Sequence, residues 1–228
     1  MSTPSFETVM HRIGEIQPPL PPAQSLLIGA VVLGAVMIPV AWFLLQHVGV
    51  IAHEAAHAAM GSGLGRKVGS VRLNPDGTGE TRVRGGRGAA GTVAFTAIGY
   101  FGPSLFGLGA AKLISVGHVL AVLWLALLAL ACLLPLLRGF FSWAAVIVIG
   151  AAVYLVARDA SVTTQTVVAY GIAWLLLVGG IRMVALHGSG AADASALTGL
   201  TRISAGCWSG LWLIGTVLAL VAGGVLLT

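Results

Sequence analysis

The chain reads as an all-α integral membrane protein, with six or seven transmembrane helices and a short cytoplasmic β-hairpin after the helix that carries His53-Glu54-Ala55-Ala56-His57. Three observations predict this. Of 228 residues, 57% are hydrophobic and 8% charged, against about 25% charged in a soluble domain. The apolar residues gather into runs long enough to cross a bilayer, and isolated charges separate them. The basic residues segregate to one set of connections, as the bias toward cytoplasmic Lys and Arg requires.

Residues 1–22 read as an irregular tail, taken as cytoplasmic, and 23–228 as one polytopic membrane domain. The tail ends in Pro18-Pro19-Leu20-Pro21-Pro22, where proline density blocks helix. It lacks the basic cluster of a cleavable signal peptide. The run from Leu26 to Gly63 is 38 residues long. As one straight helix it would measure roughly 57 Å, against a hydrocarbon core of about 30 Å. It is therefore two spans, or one span broken near Pro39. The favoured division is a first span near 24–44 and a second helix near 46–62. Gly61, Gly63 and Gly65 then end that helix.

Residues 68–73 and 79–84 alternate around Asn74-Pro75-Asp76-Gly77 and predict a hairpin. Its strand edge could receive an extended peptide by β-addition. As a plain loop, its basic residues would rest on anionic headgroups. Further spans are expected near 91–111, 118–137, 139–157, 163–186 and 205–227. With the HEAAH helix ending on the cytoplasmic side, nine basic residues fall at or near the inner face: Arg66, Lys67, Arg72, Arg82, Arg84, Arg87, Arg138, Arg182 and Arg202. Two, Lys112 and Arg158, fall outside. The same topology puts residues 187–204 on the side where the HEAAH helix ends.

His53 and His57 stand at i and i+4, so their rings project from one helix face and can grip one zinc ion. Glu54 is placed to take a proton from a water molecule that the metal polarises. Ionisable groups in an apolar helix demand partners or a task. A catalytic zinc takes three protein ligands. Topology excludes His118 and Asp159, and His47 points away from the ligand face. Asp76, Glu80, His187 and Asp193 remain. Asp76 suits a tight turn, and spacing alone leaves Asp193 equally suited to capping the last helix and to binding metal. Cys132 and Cys207 lie in apolar segments and supply neither a disulfide framework nor a thiolate site. Tyr100 reads as a packing residue, with oxyanion stabilisation as its lesser role. Arg182 reads as snorkelling to headgroups, with a contact to Asp193 as the lesser reading.

The ordered series HEAAHAAM, GRKVGSVRLNPDGTGETRVRGG, AIGYFGPSLFG, IRM and ADASALTGLTRISAGCW resembles the bacterial site-2-protease-like membrane zinc metallopeptidases, in particular their small actinobacterial-type branch. The resemblance covers most of the chain from about residue 46. In that branch an Asp before the final span is the third ligand, which implies a metal set of His53, His57 and Asp193 with Glu54 as the catalytic base. Ala192 stands where Ser is usual, Ala56 where the strict motif has Gly, and Leu-Asp-Gly is absent. The resemblance implies one Zn2+ per chain, transmembrane protein substrates, the lipid bilayer as partner and no nucleic acid. It implies a multi-pass protein of the cell membrane with the active site opening toward the cytoplasm. The runner-up reading is a non-proteolytic zinc-binding scaffold or regulator. A transporter is disfavoured because no internal repeat is visible.

Overall fold

The computed structural model describes residues 14–86 and 88–228. The tail as far as residue 13, with Glu7, His11 and Arg12, and also Arg87, lie outside the described residues. The rest is helical apart from one hairpin: α1 (Pro22–Met37), α2 (Pro39–Gly63), β1 (Lys67–Leu73), β2 (Gly79–Arg84), α3 (Ala89–Ser115), α4 (Val119–Leu133), α5 (Phe140–Asp159), α6 (Val162–His187), α7 (Ala192–Thr201) and α8 (Ala205–Leu227). Five helical stretches are long and apolar enough to cross a membrane, and counting the bent pair α1–α2 as one span makes six. Seven is not reached among the described residues.

The break in the first apolar run falls at Pro39, not near residue 45. A proline disfavours α conformation in the residue before it. Ile38 accordingly sits at φ −79°, ψ 121°, and the axes of α1 and α2 differ by 107°. Pro39 itself occupies the first turn of α2, where its missing N–H is no loss. The favoured pair of spans is thereby corrected to two helices bent at Pro39, which length and composition allow to count as one broken span. The apolar run hides the break, because both halves are equally lipid-soluble.

That correction moves the tail. The Gln17 N–H donates to the Gly117 carbonyl in the α3–α4 connection at 2.9 Å, and the Leu20 N–H donates to the Tyr170 hydroxyl. The hairpin lies at the other end of α3 and contacts the α4–α5 connection, where Arg138 N–H donates to the Val71 carbonyl. Residues 15–20 and the hairpin therefore occupy opposite ends of the bundle, and one cytoplasmic side cannot hold both. The apolar core divides the same way. One cluster, with Val50, Tyr100, Leu133, Val184, Leu197 and Trp212, surrounds the hairpin end. The other, with Ile114, Leu123, Tyr170, Leu177 and Leu227, fills the far end.

The hairpin pairs Lys67 with Arg84 and Leu73 with Gly79, with an irregularity between Val68 and Ser70. Val71 and Leu73 on β1 are 0% and 2% exposed, so one face of the strand is sealed into the bundle. Ser142 Oγ accepts from Leu73 N–H at 2.9 Å and ties that strand to α5. Gly77, at φ +83°, allows the turn. Among the described residues β2 pairs with β1 alone, which leaves its outer edge open.

Candidate metal centre

Helix periodicity aims His53 and His57 at one neighbour and Glu54 at another. The two imidazoles face α3 and α7, whereas Glu54 faces the hairpin. The His53 and His57 Nε2 atoms are 3.1 Å apart, and Asp193 Oδ2 lies 3.2 Å from each. These three are the group of ligand-type side chains that could hold a metal ion among the described residues. Asp193 belongs to α7, a short helix in the connection before the last span that the sequence reading left without structure. It is not the cap: Ala191 holds the N-cap position, and Asp193 sits within the first turn.

The donor set can be tested against a cation. His57 Nδ1 lies 2.7 Å from the Phe95 carbonyl, which can only accept, so that nitrogen carries the proton. In the neutral ring its Nε2 is then a bare lone pair, turned toward a second imidazole nitrogen and a carboxylate oxygen. Three such atoms repel one another unless positive charge sits among them. A tetrahedral ion with bonds of about 2.0 Å has ligand–ligand edges of about 3.3 Å, close to the spacing observed. Space for the ion comes from Gly99 on α3, where a Cβ would strike Nε2 of both histidines. The residues present fit a tetrahedral metal.

Supporting contacts fix the rings. His53 Nδ1 is buried without a hydrogen-bond partner, and its ring is held instead edge-on by Tyr100 at 4.8 Å and 87°. Tyr100 stacks in turn on Trp212, whose Nε1–H donates to the Ala97 carbonyl. Packing is what the structure gives Tyr100. Gly102 explains the tolerance of Ala56: a Cβ at 102 would come within 2.5 Å of the Ala56 methyl, so the small partner lies on α3 rather than in the motif.

Glu54 is 2% exposed and covered by β2. The Thr81 hydroxyl donates to its Oε2 at 2.6 Å, and a Cβ on Gly79 would strike the same carboxylate. Sequence reasoning missed Thr81, Gly79, Gly99 as cradle and the Phe95 carbonyl. The alternation of β2 does set Thr81 and Val83 on one face, but only the docked hairpin shows that this face covers Glu54.

The other candidates fall elsewhere. Asp76 accepts from the Thr78 hydroxyl and N–H inside the turn, which holds its carboxyl below the ordinary carboxylate range. Glu80 pairs with Arg82 at 2.9 Å on the open side of the hairpin, and this pairing lowers its carboxyl. His187 ends α6, and His47 packs between Phe43 and Phe141. Arg182 rests on the Trp42 ring and Met37, not on Asp193.

A family model described as Peptidase M50B-like matches residues 26–223. No curated protein and no solved structure matches the chain.

Proposed function

The chain belongs to the Peptidase M50B-like family of site-2-protease-like membrane metallopeptidases, and we propose that it is an intramembrane zinc endopeptidase with His53, His57 and Asp193 as ligands and Glu54 as general base. The observation that carries the reading is the convergence of three ligand-type atoms within 3.2 Å, one of them, His57 Nε2, free to accept in the neutral ring because Nδ1 keeps its proton toward the Phe95 carbonyl. Zinc, when bound, lowers the pKa of a coordinated water toward 7 and polarises the scissile carbonyl.

The chain's own residues do the rest. Glu54 takes the proton of the attacking water and returns it to the leaving amine, a role its position beside His53 allows. Thr81 holds one oxygen of that carboxylate, which leaves the other for proton transfer. The covering hairpin and the packed α2–α3 interface bury Glu54 and His57, so charge interactions there are strong. The substrates are membrane-embedded or membrane-proximal proteins. A helical substrate must unwind to expose its peptide bond, and the open edge of β2, the strand that covers Glu54, suits the released backbone. By the excess of basic residues at the hairpin end, that end and the site's opening face the cytoplasm.

The test uses detergent-purified chain with a transmembrane peptide substrate. Glu54→Gln is expected to lower cleavage by at least about 100-fold, the low end for a lost general base, with zinc content unchanged. Cleavage by Glu54→Gln at the wild-type rate would overturn the reading.

A further inference from the structure

Arg182 lies on α6, five residues before that helix ends. Its guanidinium carbon is 5.2 Å from the Trp42 ring centroid, and Nη1 reaches Met37 Sδ at 3.6 Å. Nε is buried without an acceptor, and no carboxylate pairs with the group among the described residues. A cation in apolar surroundings needs an anion or water, and this one is only partly supplied.

Beside it opens a groove of about 660 Å³ between α1, α6 and α8, lined by Leu33, Val178 and Leu220 among others, with Arg182 as its one charged wall. Small residues make the room: Gly29 and Ala30 on α1 and Gly224 on α8. The groove follows α1 from Met37 to Leu26. Eleven helical residues rise about 16 Å, which is the depth of one leaflet of a core about 30 Å thick. The cation stands at one mouth and the apolar length runs inward from it. A phosphate at Arg182 would receive the fork of donors that guanidinium presents, and an acyl chain would fill the groove below.

We propose that this groove is a binding site for one anionic phospholipid, with its phosphate on Arg182 and an acyl chain between α1, α6 and α8. The preference for net negative charge follows from Arg182, the groove's one charged wall: the cation of a zwitterionic headgroup competes with it for the phosphate, and an anionic headgroup carries no such cation. The bound lipid would brace α1, the arm of the broken span, against α6. Nothing in this inference requires the metal centre to act as a peptidase.

Native mass spectrometry of purified chain after detergent exchange tests it, with phosphatidylglycerol and phosphatidylcholine of identical acyl chains as probes. Wild type is expected to keep one phosphatidylglycerol and to hold it about fivefold more firmly than phosphatidylcholine, the weight of one basic group at an anionic surface. Arg182→Gln should abolish that preference. Ala30→Trp, which fills the groove from a lipid-facing position, should lose both lipids. Zinc content, unchanged in both variants, reports that each is folded. Equal retention of the two lipids by wild type, or undiminished phosphatidylglycerol on both variants, would overturn the proposal. So would cross-linking of a transmembrane peptide at position 30 under saturating phosphatidylglycerol, because the groove would then belong to a protein segment.

Discussion

Glu54 is a carboxylate with one strong donor. Thr81 supplies it from a different element, at 2.6 Å and out of solvent. A hydrogen bond to a charged group contributes about 1.5–3 kcal/mol. If that orientation serves proton transfer, Thr81→Val should lower kcat by about 10–100-fold with KM nearly unchanged, and Thr81→Ser should restore most of it. A loss confined to thermal stability, with kcat intact, would make Thr81 structural only. Gly99→Ala is expected to displace both imidazoles and to weaken zinc binding by at least about 10-fold, the scale of a lost supporting residue at a zinc site. Equilibrium dialysis measures it, and unchanged affinity would move the ion away from Gly99. At this scale the sequence was half legible. Regular i, i+4 spacing shows His53 and His57, since helix geometry alone joins them. Asp193, Thr81 and Gly99 lie 136, 27 and 42 to 46 positions away from the residues they meet, and no local period reports such contacts.

The elements that matter are the hairpin and the broken span. Alternation and a proline–glycine turn made the hairpin legible to within one residue of its observed ends, because turn chemistry is local. Its docking over α2 was not legible. Arg82→Pro, on the open strand, should cut peptide cleavage strongly while leaving zinc bound. Wild-type cleavage by that variant would remove strand addition from the account. The broken span shows the opposite limit. Hydropathy reads solubility in lipid and says nothing of direction, so α1 and α2 merge into one apolar run. Only Pro39 and its effect on Ile38 mark the 107° turn. The later spans, bounded by Lys112, Arg138 and Arg158 or by glycine, were read to within about four residues because charge and glycine punctuate them.

Across the whole molecule, α3 separates two ends of the bundle, with the metal-type cluster and hairpin toward one and residues 15–20 and 226–228 toward the other. An even number of crossings follows from counting α1–α2 as one. Single cysteines at Asp76 and at Thr228, in a chain whose Cys132 and Cys207 are replaced by Ser, should then react with an impermeant thiol reagent from opposite faces of oriented vesicles. Labelling from one face would break the topology. The overall architecture was legible from composition and run length, whereas the side on which the tail lies depended on a crossing count that the apolar run conceals.

The central claim is that three side chains from α2 and α7 hold one zinc ion. Its most direct test is the zinc content of detergent-purified wild type, His57→Ala and Asp193→Ala. The account predicts close to one zinc per chain in the wild type and loss in both variants, since three ligands at tetrahedral spacing act as a unit. Zinc lost from His57→Ala but kept at full occupancy by Asp193→Ala, or a wild type that takes up none on reconstitution, would contradict it.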